Sequence, residues 1–188
     1  MCFSFEISMI TFIVSWTISI YLLQKNINKV KRQNVIALMI FSSMQLVDAI
    51  LHYINMKRNN INYYVTSLLI PIILSLQILE NVFVRNKGSN SFINLICIIG
   101  CIYIFYRFNG YSSPLCNNAL SSPIWGSNEI KLWELITFSF LCLYPSWNLI
   151  ALFILIIFPL IYNFTGGAYG SLWCSIANVY AFYLLIIK

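Results

Sequence analysis

The sequence predicts an all-helical, polytopic transmembrane bundle of about seven spans, a single integral membrane domain over residues 1–188 with its N-terminus outside. Three observations predict it. Of 188 residues, 60% are apolar and only 9% are charged, where a soluble domain carries about 25% charged residues. The apolar residues gather in runs approaching the ~20 that a helix needs to cross hydrocarbon. The basic residues sit in the short polar segments between those runs, the distribution that sets membrane orientation. A net charge of +6 spread in this way forms no basic patch or arm, which argues against nucleic-acid binding. Six cysteines without CxxC or finger spacing and a single histidine argue against a metal site, and no cofactor motif is visible.

The first span covers about residues 3–23. It carries Glu6, has no basic n-region and runs too long for a signal-peptide core, so it reads as an uncleaved anchor. Lys25, Lys29, Lys31 and Arg32 follow at once, which places this loop in the cytosol. Span two, about 35–54, runs outward. Span three, about 63–84, holds Pro71 mid-helix, where the missing backbone donor bends the helix unless neighbours satisfy the freed carbonyl. Span four covers about 92–108. Residues 109–131, rich in Gly, Pro, Ser and Asn, read as a long outer loop serving as a lid or an interaction surface. Two short apolar stretches, 132–144 and 149–162, read as spans five and six in a tight hairpin, and 172–187 as span seven. On this topology the inner segments hold Lys25, Lys29, Lys31, Arg32, Arg85, Lys87 and Lys188, against Lys57, Arg58, Arg107 and Lys131 outside, a 7 to 4 division of the favourable sign. Neither inverted nor parallel repeats of the transporter kind are visible.

Span two carries the residues that invite chemistry. Gln45, Asp48 and His52 fall within about 60° of one another on a helix, with Ser42 beside them. Lipid takes the apolar remainder of the circumference, and the stripe must face other helices or water. An acid within a span is a functional-site hypothesis by default, or else a hydrogen-bonding clamp between helices. The i, i+4 spacing permits a hydrogen bond between Asp48 and His52. Glu80, one turn from Gln77 in span three, reads either as the inner-side partner of Asp48 in a proton or cation relay, or as an interfacial partner of Arg85 or Lys87. Glu6, Glu134, Trp173 and Cys174 fall at the same outer depth as Asp48 and His52, as if lining an outward-facing pocket. Asn178, one turn from Ser175, reads as packing glue that reaches across to span two.

The chain opens Met1-Cys2-Phe3-Ser4, has Gln45-x-x-Asp48 in span two, and carries Gly170-Ser171-Leu172-Trp173-Cys174 at the start of the last span. Together these resemble a family of uncharacterised multi-span proteins, mostly bacterial, that begin Met-Cys-Phe-Ser, with Gln-x-x-acid in span two and Ser-x-Trp-Cys in the last span. Asp48 stands where that family usually has Glu. The resemblance covers the two ends and span two and implies no established activity. It implies that Cys2, Gln45, Asp48, Trp173 and Cys174 form one constellation. Removal of the initiator methionine would leave the Cys2 thiol and amine at the outer face as a reactive centre, a thiol or metal contact, or a packed terminus.

The leading expectation is a small transporter or channel-like protein for a proton, cation or small polar solute, with Asp48 central, Gln45 and His52 lining the way, and Glu80 beyond. A receptor-like or scaffold protein using residues 109–131 as its contact surface is the first alternative. An intramembrane thiol- or carboxylate-dependent enzyme is the second, although HExxH and GxSxG are absent. The expected partners are the lipid bilayer and a small ion or polar solute.

Overall fold

The computed structural model describes residues 4–85, 87, 90–117, 120–126, 128, 130–144 and 170–186. Among these residues the chain is predominantly helical: α1 Phe5–Gln24, α2 Lys29–Tyr53, α3 Asn60–Arg85, α4 Ser91–Arg107, α5 Leu132–Leu143 and α6 Gly170–Ile186. The expected span at 149–162 lies outside the described residues, as does Cys2. Three helices, α1, α2 and α3, are long and apolar enough to cross a membrane by length and composition.

Short polar side chains fix where the helices begin. Ser4 accepts from the Ile7 amide, Asn28 from Lys31, Asn59 from Asn62 and Asn90 from Phe92, each satisfying a first-turn N–H that has no partner within its helix. Asn28 therefore starts α2 six residues before its apolar run, and the basic turn from Lys29 to Arg32 extends it toward water.

Pro71 is accommodated by a change of helical pitch. Residues Val65–Leu69 form a π-helical turn, with the Ile70 amide bonded to the Val65 carbonyl. The wider turn ends two residues before Pro71 and gives its ring room against the preceding turn. A second π-helical stretch, Glu80–Arg85, closes the helix.

α2 is the hub. Its first half packs Val35 and Leu38 against Leu22 of α1 and Ala177, Ala181 and Leu184 of α6. Its second half packs Met44, Val47 and Leu51 into a larger core with α3, α4 and α5. Alanines on α6 and buried Ser8, Ser15 and Ser19 on α1 let backbones approach closely, as small residues do between apolar helices. α4 buries only Cys97 and Ile104 among its seventeen residues, while Leu95, Ile98, Ile99 and Ile102 point outward.

The segment read from sequence as a loop contains a β-hairpin. β1 Ser113–Asn117 pairs antiparallel with β2 Leu120–Ile124, in a register that sets Ser113 opposite Ile124 and Asn117 opposite Leu120. Its chemistry explains why a loop was expected: Pro114 and Pro123 face each other in this register, and prolines are tolerated because both strands of a two-stranded ribbon are edges.

Candidate functional site

The polar stripe of α2 is buried. Ser42 and Asp48 are fully shielded and Gln45 is 1% exposed, whereas His52, in the last turn, is half-buried. The chain that reaches the stripe comes from the far side of the hairpin. The Trp125 indole N–H donates to Asp48 Oδ1 at 2.9 Å, and Trp125 is itself 2% exposed. A carboxylate in an apolar interior needs donors or a counter-charge, and here the segment that follows β2 supplies one. Gly126 makes the placement possible. Its φ of +83° lies in the left-handed region, and a Cβ there would meet Phe108 and the Arg107 carbonyl at ordinary contact distance, so the demand for glycine comes from the backbone.

A polar network at the start of α3 holds the hairpin over this site. Asn62 is fully buried; its amide nitrogen donates to the carbonyls of Met56, Lys57 and Ser112, and its oxygen accepts from the Ser112 N–H and the Thr66 hydroxyl. The Thr66 and Ser112 hydroxyls lie 2.7 Å apart. Ser67, inside the π-helical turn, accepts from the Gly110 N–H and donates to the Gly110 carbonyl. Asn55 and Met56, both at positive φ, turn the α2–α3 connection so that its carbonyls point at Asn62.

The remaining expected residues divide among several places. Glu6 is exposed in the first turn of α1 and is near enough to His52 to interact electrostatically; the Phe5 and Tyr53 rings, 5.6 Å apart, mark the same meeting of helix ends. Glu134 belongs to a separate cluster. Its Oε1 accepts from Arg107 Nε at 2.7 Å and from the Tyr103 hydroxyl, its Oε2 accepts from the Lys131 amide at 2.7 Å, and Arg107 also donates to the Asn128 carbonyl. Glu134 thus caps its own helix and ties α5 to α4. Glu80 lies at the opposite end of α3. Counting 1.5 Å per residue from the paired helix ends, Asp48 and Glu80 are separated by about 20 Å along the axis. Glu80 Oε2 faces Arg85 at 3.8 Å, and Glu80 Oε1 and Arg85 Nε have no hydrogen-bond partner among the described residues. Asn178 sits midway along α6 and accepts from the Ser15 hydroxyl at 3.0 Å, so the packing it serves includes α1. Trp173 and Cys174 lie at the start of α6.

Sequence reasoning missed Trp125, Arg107, Tyr103 and Asn62. One signal was available: Ser112-Ser113-Pro114-Leu115 and Ser121-Ser122-Pro123-Ile124 flank an Asn-Asn pair, a turn dipeptide between two similar strands. Cys97, Cys101 and Cys142 are free thiols, and among the described residues no group of three or more His, Cys, Asp or Glu could hold a metal. Comparison of the chain with family models, with curated proteins and with solved structures gives no match.

Proposed function

We propose that this chain is a multi-pass integral membrane protein of about seven spans, N-terminus outside, that works as a small transporter for a proton, cation or polar solute. Asp48 is its binding carboxylate, Gln45 and Ser42 continue the polar route inward toward Glu80, and the hairpin is its outer gate. The observation that carries this reading is the Trp125–Asp48 hydrogen bond. It joins the fully buried acid of α2 to a segment that lies outside the helices. An ionisable group within a span is costly, and function is the usual reason for one. The membrane reading draws on the three long apolar helices, on the outward-facing aliphatic side chains of α1 and α4, and on the 7 to 4 basic asymmetry of the sequence. The resemblance to the Met-Cys-Phe-Ser family singles out the same Gln45 and Asp48.

Reconstitution into proteoliposomes with an internal pH dye tests it. The intact protein is expected to dissipate an imposed pH or cation gradient, Asp48→Asn to abolish that flux while remaining folded, and Trp125→Phe to raise the basal leak. Unchanged flux in Asp48→Asn would sink the transport reading. In its place would stand the scaffold reading, in which Trp125–Asp48 is a latch and the hairpin a contact surface. The hydrogen-bond network through Asn62 and Ser112 favours that second reading, because it fixes the hairpin rigidly to α3.

A further inference from the structure

α1, α2 and α6 meet along a seam whose chemistry changes with depth. At its inner end Leu22 of α1 packs with Val35 and Leu38 of α2 and with Ala181 and Leu184 of α6. Residues seven apart on a helix lie within about 20° of one another, so each of these side chains marks a row that can be followed outward. From Leu22 the row runs back through Ser15 to Ser8. From Val35 it runs to Ser42, and from Leu38 through Gln45 to His52. The seam is thus apolar below and polar above. Ser8, Ser15 and Ser42 are fully shielded and Gln45 is 1% exposed. At the surface the rows end on half-buried His52 and on half-buried Ser4, one turn beyond Ser8, with Glu6 near enough to His52 to interact with it.

The helix ends set the heights. The Phe5 and Tyr53 rings meet at the outer end, and α2 begins shortly after α1 finishes at the inner one. Ser8 therefore stands within a turn of the level of Asp48, and Ser15 within a turn of Ser42. Ser15 donates to Asn178 Oδ1 at 3.0 Å, and Ser42 donates to the Met39 carbonyl. The Ser8 hydroxyl, fully buried, has no hydrogen-bond partner among the described residues. A buried polar group left without a protein partner is a place for ordered water.

We infer that the outer half of this seam is a hydrated pocket that brings protons to Asp48. Water enters between Ser4 and His52, bridges Ser8 to Gln45 and Asp48, and stops at the Ser15–Asn178 bond. Below that floor Leu22, Val35 and Leu38 close the way toward Glu80, as hydrophobic constrictions do. The pocket stands apart from the transport reading, whereas the naming of the proton as its solute rests on that reading. Hydroxyls and waters both donate and accept, which is all a proton needs at each step. A metal cation needs about six oxygen ligands around it, and Asp48 instead meets an N–H donor. An excess proton from outside passes along the waters, each O–H bond breaking as the next one forms, and ends as the O–H of a neutral Asp48 carboxyl.

Silver ion, a small thiol probe carried by water, tests the pocket. Ser8→Cys exchanges an oxygen for a sulfur and keeps the fold. Ser19→Cys places a thiol below the floor, and Ile10→Cys places one at the depth of Ser8 on the outward face of α1, where Ile10 is 60% exposed. Each full-chain variant in lipid nanodiscs is treated with silver nitrate, unfolded and alkylated, and mass spectrometry follows every cysteine by its own peptide. The Ser8→Cys thiol is expected to lose its alkylation, and those of Ser19→Cys and Ile10→Cys to keep theirs. A Ser8→Cys thiol that stays alkylated overturns the pocket and leaves dry packing between the helices. Loss at Ser19→Cys as well overturns the floor, and loss at Ile10→Cys overturns the membrane reading and the pocket with it. Proton flux in proteoliposomes is read separately. Ser8→Val, which fills the pocket, is expected to reduce it several-fold, and unchanged flux overturns the delivery of protons to Asp48. An intact protein that carries metal cations and no protons overturns it too. One that carries nothing overturns the transport reading, and the silver pattern still decides the pocket.

Discussion

Asp48 is held by a donor that can be removed without disturbing its helix. Trp125→Phe keeps an aromatic ring and deletes the N–H, which removes a hydrogen bond to a buried carboxylate and costs about 1–3 kcal/mol. Asp48→Asn keeps an acceptor oxygen for the indole and removes the buried charge, so its cost is expected to be smaller. Thermal unfolding of the detergent-solubilised protein orders the two, and a more stable Trp125→Phe would show that the bond has no structural weight. Asn62 is the more demanding residue, since its amide serves as donor and acceptor at once. Asn62→Ala strands the groups it joins and is expected to cost about 3 kcal/mol. Asn62→Asp, which turns a donor into a second acceptor facing three carbonyls, is expected to be at least as damaging. Gly126→Ala introduces no clash but places a Cβ in the left-handed region, for about 1–2 kcal/mol; equal stability of this variant would show that the turn relaxes.

At the scale of elements, α4 and α5 are joined by Arg107 and Glu134, whose side chains are 12% and 9% exposed. Removal of one partner leaves the other charge shielded from water, a loss of about 3 kcal/mol. Removal of both, as Arg107→Met with Glu134→Leu, is expected to cost less than the sum of the singles. A double-mutant cycle of unfolding free energies measures the coupling, and simple additivity would show that the pair is screened like a surface bridge. Helices of this kind are legible because an apolar run and a capping Asn or Ser are local signals, as at Asn28 and Asn90. The polar stripe of α2 was legible for the same reason: three polar residues at helical spacing stand out in an apolar run. Trp125 was not, because its meaning depends on a partner 77 residues away, and a Trp among Ser, Pro and Asn gives no sign of pointing inward. Glu134 was read as one wall of a pocket because depth alone was visible. The neighbouring Arg107 at the end of α4 becomes its partner only once the two helices are packed.

For the whole molecule, the proposed orientation places the α1–α2 turn inside and the α2–α3 turn outside. In a background without native cysteines, Lys57→Cys is expected to react with an impermeant thiol reagent added to intact cells, and Asn26→Cys only after permeabilisation. The reverse pattern would invert the topology and put the hairpin in the cytosol. Among the described residues both clusters of the core include α2, so a change in α2 is felt by α1 and α6 as well as by α3 and the hairpin. That arrangement explains how one helix can carry both the buried stripe and most of the packing.

The Trp125–Asp48 pairing also bears on how the protein is made. A ribosome delivers α2 with its acid well before it delivers the indole, since 77 residues separate them, and α3, α4 and most of the hairpin must be synthesised in between. Any nascent chain ending between residues 54 and 124 has the acid and lacks the indole. Such intermediates hold α2 without the Trp125 hydrogen bond to its acid. Completion of the second hairpin strand is therefore the point in biogenesis at which this bond can first form, and substitutions at Trp125 or Gly126 are expected to lower the amount of protein that matures before they alter anything the mature protein does.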